Sequence, residues 1–217
     1  GEAALSNWDA GMDMYIYGKL GNLTMTKEGI NVLMTNLTGK VPPILQRLDY
    51  IRFNGEAAGY LHDLTLTGLF YTGAGMVKTD VMMSIDEQSM SRTYSGSVAS
   101  ADLDLGKLLN QEKKFGKVDF NVELKGFNYK NRYPESYIKG IISSFEYSQY
   151  QYENIMLDGV YKDGGFNGRL SMDDANGSVQ IDGNFNVAKT IPDFNLKASV
   201  KNLRPHDLHL SDKYENA

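Results

Sequence analysis

The sequence contains no cysteine, only five prolines, three histidines and a single tryptophan. Without cysteine there is no disulfide scaffold, no thiolate nucleophile and no Cys-ligated zinc or iron–sulfur site, and the compartment stays open on that count. No stretch approaches the ~20 apolar residues that a membrane-spanning helix requires. Positive charge is short as well. The 22 Lys and Arg against 27 Asp and Glu give a net charge of -5, with a pI near 5.2, which leaves no basic field for phosphates or for an anionic membrane surface. Nucleic acid is therefore not an expected partner. The opening Gly1-Glu2-Ala3 has neither an initiator Met nor a signal peptide, and is expected to be the scar of a cleaved tag on a piece of a longer protein.

What is present points to a folded chain. Of 217 residues, 41% are hydrophobic, 11% aromatic and 23% charged, with 22 glycines. This excludes disorder, collagen-like repeats and a coiled coil, and the length suits one generous all-β domain or two small ones.

The hydrophobic period is two almost everywhere. Val118, Phe120, Val122 and Leu124 alternate with Lys117, Asp119, Asn121, Glu123 and Lys125, the pattern of a half-buried strand. Phe194, Leu196, Ala198 and Val200 alternate likewise with Asn195, Lys197, Ser199 and Lys201. Further one-sided sets are Val77, Thr79, Val81, Met83 and Ile85; Phe166, Leu170 and Met172; and Val179, Ile181, Phe185 and Val187. Turn signals fall between them at Tyr71–Gly75, Lys162–Gly165 and Asp173–Gly177, where Gly and Asn supply the positive φ of tight hairpins. The spacing predicts roughly 11 to 14 strands in a long meander. Two short helical segments are expected, Pro42 to Leu48 and Leu105 to Lys113. A sheet with one apolar face hides it against a second sheet, by curling, or against a ligand; periodicity alone leaves these three open.

The chain also carries weak self-similarity. Phe53-Asn54-Gly55 and Leu64–Tyr71 match Ile138-Lys139-Gly140 and Ile155–Tyr161, and Val118–Leu124 matches Pro192–Ala198. The expectation is a single domain over residues 1–217 with repeat units at about 50–130 and 137–210.

Several constellations contain residue types that can carry chemistry. His206 and His209, with Asp207 and Asp212 nearby, would suit a metal on a helix, but Pro205 and the flanking alternation favour extended chain. Asp173–Gly177 lacks the order of a calcium loop and reads as a hairpin turn. Asp102 and Asp104, two apart on a strand, read as a solvated face and not as a glycosidase pair. His62 with Asp63 reads as solvent-facing. No nucleophile elbow or phosphate loop is present. Tyr147, Tyr150 and Tyr152 read as ordinary cross-strand aromatics, and the ten methionines are mostly core, with a slight lean toward an adaptable apolar surface. No enzymatic activity, metal or cofactor is expected.

The stretch from Tyr137 to Leu210 carries an ordered set of words: Ile138-Lys139-Gly140-Ile141-Ile142-Ser143-Ser144-Phe145, Tyr152-Glu153-Asn154-Ile155-Met156-Leu157-Asp158-Gly159-Val160-Tyr161, Gly165-Phe166-Asn167-Gly168, Asp174-Ala175-Asn176-Gly177-Ser178-Val179 and Pro192-Asp193-Phe194. In that order it resembles the strand units of the AsmA-like, TamB-type proteins of Bacteroidetes. The resemblance implies an elongated, curled antiparallel sheet with an apolar concave face and one or two short helices. It implies an internal segment of a periplasmic protein whose inner-membrane anchor lies elsewhere, and which shields acyl chains during lipid transport or outer-membrane biogenesis. The implied partners are a phospholipid or other acyl-chain ligand, neighbouring segments of the parent chain and outer-membrane assembly machinery. Groove candidates on this reading are Val118, Phe120, Val122, Leu124, Phe166, Leu170, Met172, Val179, Ile181, Phe194, Leu196 and Val200. The rival expectation is a cell-surface adhesin or glycan-binding β-sandwich whose apolar faces seal against each other.

Overall fold

Alternation of apolar and polar residues gives twelve strands, and short turns connect most of them to their sequence neighbours. The computed structural model describes residues 2–6, 13–38, 41–86, 88–89, 91–128, 135–186 and 192–210. The strands are β1 (Glu2–Ser6), β2 (Tyr15–Thr26), β3 (Tyr50–Tyr60), β4 (Asp63–Thr72), β5 (Gly75–Asp86), β6 (Ser91–Asp104), β7 (Phe115–Asn128), β8 (Glu135–Tyr147), β9 (Tyr150–Lys162), β10 (Gly165–Asp174), β11 (Gly177–Asn186) and β12 (Asp193–Lys201). They form one antiparallel sheet in strict sequence order, and β1 does not pair with β12. The protein is thus an all-β, curled, open meander with an apolar concave face.

Three small elements cover one rim of this sheet. Helix α1 (Lys27–Thr38) joins β2 to β3, a 3-10 turn at Leu45–Arg47 follows it, and helix α2 (Leu105–Leu109) joins β6 to β7. The Thr26 hydroxyl accepts the Gly29 N–H at 3.4 Å, the capping position for α1. Ile30 is buried and Val32 exposed, so α1 lays one stripe on the sheet. Asp104 caps α2 by accepting the Lys107 N–H at 2.8 Å, and Asn110 closes it in the left-handed region at φ 57°. Among the described residues, no helix is long and apolar enough to cross a membrane.

The core lies at this rim. Ile30, Leu48, Ala74, Leu103, Leu108 and Val118 are buried together, with Met25, Met34, Ile51, Phe120 and Phe145 packed on them. Away from it, the concave face is mostly half-buried or exposed, with Phe53 and Ser136 buried. The surface area is 14090 Å², whereas a compact monomer of this mass exposes about 10,000 Å². A sandwich would have hidden that difference. The described strands instead belong to one sheet, with its inner side largely uncovered.

Curvature has two local causes. Classes of bulge interrupt the register between Leu20 and Leu23, between Ser100 and Leu103, and in the β7–β8 pair, adding twist and bend. Glycines also sit mid-strand on the concave side. A Cβ at Gly96 would lie 2.0 Å from the Asp80 carbonyl oxygen, one at Gly140 2.3 Å from that of Asn121, and one at Gly168 2.3 Å from that of Asp158. The inside of the bend has no room for a methyl group.

Three local expectations need correction. The 12-residue α1 was not expected, the helix from Leu105 ends at Leu109, and the Pro42–Leu48 segment contains only a three-residue 3-10 turn. The self-similar segments lie five strands apart, β3 with β8, β4 with β9 and β7 with β12. In a meander of this order they run in opposite directions.

Candidate functional site

The register carries apolar rows straight across the concave face. One row runs Leu23, Phe53, Phe70, Val77, Ser100, Phe120, Ile142, Ile155, Met172, Val179 and Val200. Only Ser100 in it is polar, and its hydroxyl donates to the Val118 carbonyl at 3.0 Å. Twelve strands at ~4.8 Å spacing make the face about 53 Å long.

All the groove candidates fall on this one face, but in different surroundings. Val118 is buried in the rim core, with Phe120 packed against it. Val122, Leu124, Phe166, Met172, Val179 and Ile181 are half-buried. Leu170 is 37% exposed, Leu196 43%, Val200 52% and Phe194 59%, so the β12 end is the most open. Val187 lies outside the described residues.

An enclosed part of the concave side lies at the other end. A cavity of about 610 Å³ lies between β2–β5 and the cover formed by α1, the 3-10 turn and α2. Its walls include Leu23, Met34, Leu48, Phe53, Leu66 and Phe70. Thr72 is the one polar lining residue, and its hydroxyl is engaged, donating to the Gly75 carbonyl at 3.0 Å and accepting the Ala74 N–H at 3.1 Å. Such a wall offers dispersion and desolvation and no directional partner. The groove candidates, which came from residues 118–200, contain none of this lining. The usable signal was the alternation of Ile51 with Phe53 and of Leu64 with Leu66.

On the convex face one row is charged, beside rows that leave Met82, Ile141 and Met156 exposed. Glu123, Lys139, Asp158, Arg169, Asp182 and Lys197 are successive cross-strand partners. Arg169 Nε lies 2.7 Å from Asp182 and Lys139 Nζ 3.7 Å from Asp158. Asp182 is held below the usual carboxylate range by the hydrogen bonds of Gln180 and Arg169. Large charged side chains splay outward over the bend while glycines permit closure inside.

The remaining candidates resolve into structural roles. Residues 203–210 form turns, with Leu208 N–H donating to the Arg204 carbonyl at 3.0 Å; the extended chain expected at His206 and His209 is corrected accordingly. His209 Nδ1 lies 2.9 Å from the Ser148 carbonyl, and His206 Nδ1 lies 3.6 Å from Asp207; Asp212 is outside the described residues. Among the described residues no three metal-ligating side chains cluster. Asp102 takes φ 55° at a bulge and pairs with Lys117 at 3.0 Å, whereas the Asp104 carboxylate caps α2. His62 sits in the β3–β4 turn, stacked on Tyr60 and 3.5 Å from Asp13. Asp173–Gly177 is the β10–β11 turn. Tyr147, Tyr150 and Tyr152 join Phe115 and Phe145 in a cross-strand cluster. The Tyr152 hydroxyl donates to the Leu208 carbonyl at 2.7 Å, which locks the 203–210 turn to β9.

No protein-family model, curated protein or solved structure matches this chain. The class is accordingly defined by its geometry: an open, curled β-sheet with a largely apolar concave trough.

Proposed function

We propose that this chain is a non-enzymatic segment of a periplasmic lipid-conduit protein of the AsmA-like, TamB type. On this reading it shields acyl chains from water during inter-membrane lipid transport or outer-membrane biogenesis, and its parent is anchored in the inner membrane. The observation that carries the reading is the concave face, apolar across β2–β12 and left uncovered over most of its length. An exposed apolar surface of that extent in a folded chain marks a binding surface.

The magnitudes agree with an acyl chain. Each buried CH2 contributes ~0.8 kcal/mol, so about eight of them contribute ~6 kcal/mol before ordering costs. A bilayer leaflet is ~15 Å of hydrocarbon, so a trough of about 48 Å across β2–β12 accommodates several tails in succession. Apart from the Thr79 hydroxyl, a buried polar group without a partner among the described residues, the rows are largely apolar, and a tail can slide between chemically similar positions along them.

The test is extraction of the purified chain and mass spectrometry of the extract, with Val122→Asp beside it. Val122 is half-buried in mid-trough, where a carboxylate meets water and not a sealed core. The expected result is phospholipid or fatty acid carried by the parent chain, and a folded Val122→Asp variant that carries none. A lipid-free parent chain, or a variant that unfolds because that face is closed, overturns the reading.

A further inference from the structure

The charged row on the convex face ends with Lys197 at the sheet's edge. From β8 onward it alternates strand by strand through Lys139, Asp158, Arg169, Asp182 and Lys197. The register partner of Lys197 is shared: Asp182 Oδ1 takes Arg169 Nε at 2.7 Å and Oδ2 takes Gln180 Nε2 at 2.8 Å, and Lys197 acts on it through charge alone. Among the described residues, no carboxylate forms an ion pair with Lys197. Strand β12 is exposed at every position and pairs with β11 alone. Its outer backbone groups are a template for another strand.

We propose that the β12 edge is a docking surface for an antiparallel strand of another polypeptide, one that carries Asp or Glu opposite Lys197 and apolar residues opposite Leu196 and Ala198. Such a strand extends three patterns at once: the hydrogen-bond ladder, the concave apolar rows and the sign alternation outside. Backbone pairing supplies the attachment, and the carboxylate selects the partner and its register. A second copy fits poorly. Full overlap of two β12 strands, each running Asp193–Lys201, sets Lys197 against Lys197, and like charges directly opposite are unfavourable.

The probe is a labelled synthetic peptide with the β11 sequence Gly177–Asn186, which contains Asp182, and the same peptide with Asp182→Lys. Each is titrated onto the full chain at low salt. The expected result is about two- to fivefold tighter binding of the Asp peptide, a preference reversed on a Lys197→Glu chain and narrowed by added salt. Hydrogen exchange gives the place: protection is gained on β12 while β11 is unchanged. Absence of binding, equal binding of both peptides, a preference unmoved by Lys197→Glu, or deprotection of β11 through strand exchange each overturns the proposal. So does self-association of the chain that Lys197→Glu abolishes, because the occupant is then a second copy. None of these readouts depends on lipid, so the trough reading stands or falls separately.

Discussion

Gly140 and Gly21 differ in what a methyl group would meet. At Gly140 a Cβ falls 2.3 Å from the Asn121 oxygen and 2.6 Å from Val122 Cα, whereas at Gly21 it meets nothing within 4 Å. Both obstacles at Gly140 are backbone, so relief requires the β7–β8 pair to separate. Gly140→Ala is therefore expected to cost about 1–3 kcal/mol, as overpacking does, and Gly21→Ala to stay within about 0.5 kcal/mol; denaturant midpoints of the two variants measure this. Equal midpoints would mean that the glycines do not set the curl. Tyr150 gives a second residue-scale expectation. Burial pushes its hydroxyl up to about 12, and the hydrogen bond it donates to Asp174 adds to the rise. In the unfolded chain the value is about 10. Since the folded value is the higher, this group's stabilisation is complete below pH ~10 and is lost as pH rises through about 12. Stability should fall across that window, and the fall should be shallower in Tyr150→Phe. Identical slopes for the two chains would remove Tyr150 as a cause.

At the scale of elements, α1 is the part that the sequence concealed. Gly29, Val32, Thr35 and Asn36 are weak helix formers, and surrounding period-two segments hid the Ile30–Met34 spacing and the Thr26 cap. Tertiary burial decides it: Ile30 is only 2% exposed and belongs to the rim core. Ile30→Ala is expected to cost about 2–5 kcal/mol, read from thermal or denaturant unfolding, whereas a cost under about 0.5 kcal/mol would show that α1 merely rests on the rim. The strands were legible for the opposite reason. A period of two is local, so Val118 to Leu124 and Phe194 to Val200 could be assigned to one face each without knowing what that face touched. Register then placed both sets on the same side of the sheet. Bulges were not legible, because one residue in the left-handed region at Asp102 breaks the alternation without changing composition. The apolar cavity is hard to read from local periodicity, because its walls come from β2–β5 and three covering elements distant in sequence.

Across the whole molecule, stability should be graded along the sheet. Each strand packs on its sequence neighbours, and the helical cover touches the sheet at β2, β3 and β7. A sheet of this kind behaves nearly as a one-dimensional array, in which each unit is held by the next. Buried residues concentrate where α1, α2 and the starts of β3 and β7 meet, and β12 has none. The 203–210 segment ties β9 to the β10–β11 turn through fully buried Leu208, the Tyr152 hydroxyl and the Arg204 N–H, which donates to the Asn176 carbonyl at 2.9 Å. That leaves β12 as the lightly held edge. A two-layer domain would open globally, and all its interior strands would exchange amide hydrogens with one free energy. Here β11 is paired on both sides yet depends on β12, so its amides should exchange through fraying from that edge at a lower free energy than those of β6. Native-state hydrogen exchange across a denaturant series separates the cases. If β6 and β11 merge into a single isotherm well below the unfolding midpoint, the array is cooperative from end to end and the concave face is held by more than its neighbours.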